Sequence, residues 1–201
     1  GLPELLTFAE ECVAHIVQTV LKENMQELII LERDVDKLKK IQPPFYRKTY
    51  AEVLKILKEK EGLKIPFGKD LRTIEEDLVM KHFDKPLMVT NYPKDIMAFY
   101  KKRDPKKPDT ALCFDMLAPE GYGEIIGGSE RDTDIEELKK ALKKQGEKVE
   151  NYDWYFDLRK YGSVQHSGFG LGIERVVSWL CGLDNIKDAI PFPRTMLRFK
   201  P

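Results

Sequence analysis

Three short apolar runs, residues 86–90, 111–117 and 123–126, limit what this chain can fold into more than any other feature. Each is rich in strand-favouring residues, and the pieces around them, at 104–109 and 119–123, are rich in turn residues. Parallel neighbours need long crossovers, usually helical, so runs joined without them predict an antiparallel sheet.

Helical periodicity fills most of the remainder. Apolar residues recur at helix spacing from 3 to 23 (Leu5, Leu6, Ala9, Cys12, Val13, Ile16, Val17, Val20, Leu21), which reads as one long amphipathic helix. A second helix is expected over 25–40, with a Lys-rich end that complements its carbonyl terminus before Pro43 and Pro44 forbid continuation. Thr49 with Glu52, and Thr73 with Glu76, read as capping boxes for helices over 51–60 and from 73 to about 83, the first stopped by Gly62. Asp134 caps a helix over 135–144 ended by Gly146, 152–160 forms another, and 173–180 regains helical spacing before Gly182. Helices, then a small sheet, then a closing helix predict an α+β fold, an antiparallel sheet flanked by helices. Residues 1–85 form its mostly helical flank and 86–201 its sheet.

Charge narrows the partners. The 34 Lys and Arg balance the 34 Asp and Glu, so no whole-molecule field draws nucleic acid or anionic lipid, and any polyanion site must be local. With 42% hydrophobic and 34% charged residues the chain fits neither a disordered tail nor a membrane protein. Its apolar stretches fall short of the ~18–20 residues of a spanning helix, so no membrane segment is expected. Residues 1–20 lack a basic start and carry Glu4, Glu10 and Glu11, so they read as helix rather than signal peptide, and the expected compartment is the cytoplasm. Cys12, Cys113 and Cys181 are odd in number and widely spaced among apolar neighbours, and read as reduced core residues.

Three late segments carry residue types that turns alone would not require. Asp115 lies on an apolar strand and Glu124 opens the next one, so a hairpin can bring both carboxylates to one face, a set suited to an oxygen-liganded cation such as magnesium. The same spacing fits two separate strand carboxylates, each paired with a nearby Lys or Arg. In 124–131, strict alternation puts Gly127, Ser129 and Arg131 on one face and Glu124, Ile126, Gly128 and Glu130 on the other, unless a bulge intervenes. An inward Arg131 would bind a carboxylate, an amide oxygen or a phosphate. In 166–175, Gly168, Gly170 and Gly172 clear one strand face for a flat ring, with Arg175 ready for phosphates at the next helix start. That run lacks Walker spacing and a dinucleotide-binding context, and GlyXGly runs also open ordinary turns. His166 could contact phosphate or simply satisfy a turn, and the other histidines have no partner at zinc-ligand spacing. The charged residues of 101–107 and 139–148 read as solvated faces.

Together these segments resemble a known family. GFGLGIER at 168–175 resembles motif 3 of the class II aminoacyl-tRNA synthetases. LAPEGYGEIIGGSER at 117–131, DLRKYG at 157–162 and IPFPRT at 190–195 resemble its asparaginyl branch, and PPFYRKTYAE at 43–52 and YPKDIMAFY at 92–100 extend the likeness over essentially the whole chain. The resemblance implies ATP and Mg2+ as cofactors, activation of asparagine to asparaginyl adenylate, transfer to tRNA(Asn), and a homodimer. It also implies an ATP site of Glu124, Gly170, Gly172, Ile173, Glu174 and Arg175, with Arg175 the catalytic contact to the terminal phosphates of a bent ATP. Asp115 and Glu124 would take the metal, and Arg131 would grip the side-chain oxygen of the amino acid, with Ser129 and Gly168 beside it.

Arg131 is shared with the aspartyl branch. Aspartyl relatives tend to read SerGlyAlaGln before this Arg and lack DLRKYG, so Gly127, Gly128, Ser129 and Glu130, together with DLRKYG, favour asparagine. A serine that aspartyl relatives use near the metal is replaced by Gly127. The family's oligonucleotide-binding barrel, motif 1 and motif 2 have no counterpart here, so the expectation is a C-terminal part of a catalytic domain. The alternatives are the aspartyl branch, or a non-catalytic or asparagine-synthesising paralogue of the same fold.

Overall fold

The computed structural model describes residues 1–198; the last three positions of the expected 1–201 span lie outside the described residues. Five strands form one sheet in the order β1 (Tyr46–Thr49), β2 (Leu87–Thr90), β3 (Cys113–Ala118), β4 (Gly123–Glu130) and β5 (Ser167–Leu171). The pairs from β2 to β5 are antiparallel, as the spacers predict. The edge strand departs from that pattern, because β1 runs parallel to β2, with Tyr46 opposite Leu87 and Thr49 opposite Thr90. The parallel pair is made possible by a crossover through α4 (Tyr50–Lys60) and α5 (Thr73–Met80). A polar, half-exposed strand gives no apolar alternation, which is why β1 went unseen within the helical half.

Helix α1 (Leu2–Glu23) forms as its stripe demands. The single helix expected over 25–40 is instead two, α2 (Met25–Ile30) and α3 (Val35–Lys39). The break falls where Glu32 turns left-handed at φ 55° and the Asp34 carboxylate accepts from the Asp36 amide at 3.2 Å, a local bond that competes with helix continuation. Thr49 and Glu52 make the expected reciprocal cap of α4 at 3.3 and 2.7 Å. The box on α5 is shifted by one residue: Glu75, not Glu76, accepts from the backbone N–H of Arg72 at 3.0 Å and also pairs with the Arg72 guanidinium. Glu76 is thereby left free of capping. Helices α6 (Ile135–Lys144), α7 (Asp153–Lys160) and α8 (Ile173–Cys181) follow, α6 capped by Asp134 and α8 stopped by left-handed Gly182.

Both sheet faces are covered, which is why the strands read as nearly continuous apolar runs. On one face Met88, Phe114, Met116 and Ile126 pack with Val13 and Val17 of α1 and Trp179 of α8. On the other, Leu87, Val89, Cys113 and Leu117 pack with Tyr50, Val53 and Leu57 of α4 and Val79 of α5. Each such side chain contributes about 1.5–3 kcal/mol of burial. Cys113 is buried, Cys12 and Cys181 are half-buried, and all three are free thiols. The turn between β3 and β4 is clamped to the end of α8 by Arg33, which pairs with Glu120 at 2.6 Å and donates to the Leu180 carbonyl at 3.2 Å. Among the described residues no helix is long and apolar enough to cross a membrane. The α4/α5 layer reaches only part of its face, and beyond it the chemistry-bearing residues of β3, β4 and β5 border a cavity.

Candidate active site

The cavity, about 490 Å3, is bordered by Asp115, Glu124, Gly127, Arg131 and Gly170 from the sheet, by Glu76 of α5, and by Tyr92, Tyr100 and Lys101 from the connection between β2 and β3. Asp115 sits opposite Gly127 in the β3/β4 register. The next pairs are Met116 with Ile126 and Leu117 with Glu124, so Ile125 is an extra residue, a bulge. That bulge corrects the strict alternation. It turns Glu124 from the face of Gly128 to the face of Gly127, where a methyl group on Gly127 would lie 2.7 Å from Glu124 Oε1 and 3.5 Å from Asp115 Oδ1. The two carboxylates therefore share one face, as expected, and only glycine leaves room between them.

A third carboxylate joins them. A Cβ on Gly123 would meet Glu76 Oε2 at 3.2 Å and an Arg175 guanidinium nitrogen at 3.6 Å, so the two side chains flank Gly123. Burial first, then the charges of Glu124 and Asp115, push the Glu76 carboxyl up to about 7 against the pull of Arg175. Asp115 is likewise pushed up to about 7, first by burial and then by Glu124, with Lys101 and a hydrogen bond from the Tyr92 hydroxyl opposing. Acids this close and this desolvated hold protons when no cation is near. Among the described residues no three His, Cys, Asp or Glu side chains close into a metal cage. Two carboxylates with room for water and phosphate oxygens are nevertheless a donor set that Mg2+ accepts.

Across the cavity Arg131 is held on three sides. One terminal nitrogen donates to Ser129 Oγ at 2.9 Å, the other to the Gly168 carbonyl at 3.2 Å, and the guanidinium lies 4.7 Å over the Tyr100 ring. Ser129 is fully buried. Ser129 and Gly168 thus lie beside Arg131, and Arg131 is the partner the structure shows for them.

The glycine run divides. Gly168 faces Arg131, and Gly170 opens onto empty space within the cavity lining. Gly172 has left the strand and caps α8, which corrects the reading of three glycines on one strand face. Ile173 and Glu174 are exposed on the first turn of α8 and are not brought to the cavity lining. Arg175 borders a neighbouring cavity of about 630 Å3 with Tyr122, Ser178 and Asn185, and reaches the first cavity only beside Gly123. His166 is exposed, its ring bonded to the Val164 carbonyl at 2.8 Å, which is the turn-satisfying alternative.

Glu76, Tyr92, Tyr100 and Lys101 were missed as site residues. Thr73 and Glu76 spell a capping box one residue out of register with the real one, and Lys101 opens a run whose composition is that of a solvated charged face. The 92–100 segment enters the sequence reading only through the family likeness.

Residues 2–196 match the family of class II tRNA synthetases (D, K and N). Among curated relatives, an asparagine–tRNA ligase of Thermoplasma acidophilum is 47% identical over 198 residues, 98% of this chain and 46% of the relative. One of Pyrococcus abyssi is 48% identical over 198 residues, 98% of this chain and 45% of the relative. The chain therefore spans about half the length of the curated relatives it matches. Among solved structures, asparaginyl-tRNA synthetase from Pyrococcus horikoshii complexed with asparaginyl-adenylate superimposes with a TM-score of 0.95 at 45% identity, covering 100% of this chain and 46% of that one.

Proposed function

Because the chain belongs to the class II (D, K and N) tRNA synthetases, we propose that it carries the amino-acid-activation chemistry of an asparagine–tRNA ligase. In that reaction the α-carboxylate of asparagine attacks the α-phosphate of ATP, forming asparaginyl adenylate and releasing pyrophosphate, and the asparaginyl group then passes to tRNA. The observation that carries the reading is the pairing, within one cavity, of a rigidly held guanidinium with a carboxylate cluster at the other end.

Arg131 donates to the side-chain carbonyl of asparagine, oriented by Ser129, Gly168 and Tyr100. The bare backbone of Gly170 admits the flat base of ATP, and Arg175 meets the terminal phosphates from beside Gly123. Gly172, Ile173 and Glu174 border the approach at the first turn of α8. Asp115 and Glu124 would hold Mg2+, which would supply charge neutralisation to the phosphates. The chain's own contribution is placement of two reactants and exclusion of misoriented encounters rather than covalent catalysis.

The test is binding of stable asparaginyl- and aspartyl-adenylate analogues, followed by calorimetry. Preferred binding of the asparaginyl analogue, lost in Arg131→Ala, is the expected result. Equal or weaker binding than the aspartyl analogue overturns the assignment.

A further inference from the structure

Lys94 is only 7% exposed, in the connection that brings Tyr100 and Lys101 to the cavity. Its Nζ donates to the carbonyl of Phe99 at 3.3 Å and more closely to the carbonyl of Lys101, the two residues that bracket Tyr100. The Lys94 amide is anchored to the Asp109 carbonyl at 2.8 Å, and the Tyr100 carbonyl accepts from the Asp132 amide at 2.9 Å, one residue beyond Arg131. A buried ammonium thus ties the loop on both sides of the ring that faces the Arg131 guanidinium at 4.7 Å.

Burying an ammonium is costly, and an apolar side chain of the same length would fill the space at less expense. Burial pushes the Lys94 amine down, with Asp132 opposing. Backbone carbonyls pointing inward are what an apolar replacement could not satisfy, and those two carbonyls fix where the Tyr100 ring stands. The ring in turn supports the face of the Arg131 fork, whose Cζ lies 4.7 Å from its centroid. Ser129 and Gly168 take two of the five guanidinium N–H groups, and the plane sets where the remaining ones point.

We infer that Lys94 is a positioning residue for the amino-acid side-chain site: by holding the Phe99 and Lys101 carbonyls it sets the Tyr100 ring against Arg131 and aims the free N–H groups of Arg131 at the substrate. This rests on the reading of Arg131 as the side-chain clamp.

Two readouts test it. In 15N-edited spectra of the chain, with the Arg131 Nε–Hε signal assigned by its loss in Arg131→Lys, the wild-type proton is displaced upfield by the ring beneath it. The displacement is expected to persist in Tyr100→Phe and to vanish in Tyr100→Leu and Lys94→Met. Lys94→Gln, which keeps one donor, is expected to give an intermediate position and serves if Lys94→Met does not fold. Kinetically, asparagine-dependent ATP–pyrophosphate exchange should show the KM for asparagine rising about tenfold in Tyr100→Leu and Lys94→Met while the KM for ATP changes less than about twofold. A folded lysine variant with the wild-type proton position, or an equal rise in both KM values, overturns the inference. Absence of asparagine-dependent exchange in the wild-type chain would instead count against the activity reading, and the spectra would still decide the positioning.

Discussion

Replacing Gly128 with alanine puts a methyl group where the sheet has no room for one. The new Cβ would stand 2.3 Å from Cε1 and 3.0 Å from Cζ of Phe114, and 2.9 Å from Cβ of Phe169. Ordinary carbon contacts lie near ~3.5–4.0 Å. Neither neighbour can step aside. Phe114 is fully buried opposite Gly128, and the crowded atom of Phe169 is its own Cβ, fixed to the paired strand. Overpacking of this kind costs about 1–3 kcal/mol, occasionally more. Set against a backbone gain of roughly 0.5–1 kcal/mol for glycine to alanine, a net loss of about 1–2 kcal/mol lowers the Tm by about 2–8 °C for a chain of this size. Gly127, one residue away, points to the other face, where its obstacle is the movable end of Glu124. Gly127→Ala should therefore melt with the wild type, yet displace Glu124 and lower Mg-ATP-dependent activity about 10–100-fold. Thermal unfolding and exchange assays on the two variants read both effects. A Gly128→Ala protein that melts with the wild type, or a Gly127→Ala protein that is the less stable of the two, refutes the face assignment and the bulge behind it.

Other consequences follow from the same geometry. Asp115 and Glu76 titrate near 7 in the folded chain, well above ordinary carboxyls, so the folded state holds protons that the unfolded state releases; stability falls as pH rises from about 4 to about 7. For Asp115 the effect is on the order of 4 kcal/mol at most. The urea midpoint without ligand should drop between pH 5 and pH 8, and Asp115→Asn should flatten that drop; an unchanged slope contradicts the burial argument. Arg33→Met leaves the Leu180 carbonyl without its partner and Glu120 with Lys37 alone, and should cost about 1–3 kcal/mol; an unfolding curve superimposing on wild type would show that the turn needs no clamp. Arg175→Ala should weaken Mg-ATP binding in calorimetry while leaving the melting point near wild type, since the side chain is exposed; unaltered binding removes Arg175 from the phosphate site.

The long stripe of α1, the Thr49 box, the Asp134 cap and the left-handed Gly182 were legible because each depends on residues within one or two turns of one another. The antiparallel run from β2 to β5 was legible from its connections. Strand β1 was not, because its pairing depends on a partner about forty residues away and its own side chains are polar. Asp115, Arg131 and Gly170 stood out by residue type and spacing, but only the family resemblance gave them site roles. Hairpin spacing brought Glu124 towards Asp115, but strict alternation set it on the face opposite Gly127, because the bulge at Ile125 is a backbone event that no alternation rule contains. Glu76, Tyr100 and Lys94 come to the site through tertiary packing of α5 and the loop after β2. Their roles depend on what lies opposite them rather than on their neighbours in sequence.

The central claim, that the guanidinium and carboxylate ends of this cavity activate asparagine, is tested most directly by ATP–pyrophosphate exchange with asparagine, aspartate, lysine or no amino acid. Exchange with asparagine alone, abolished in Arg131→Ala, is the expected result. Exchange that follows aspartate or lysine, or asparagine-dependent exchange that survives loss of Arg131, would contradict it.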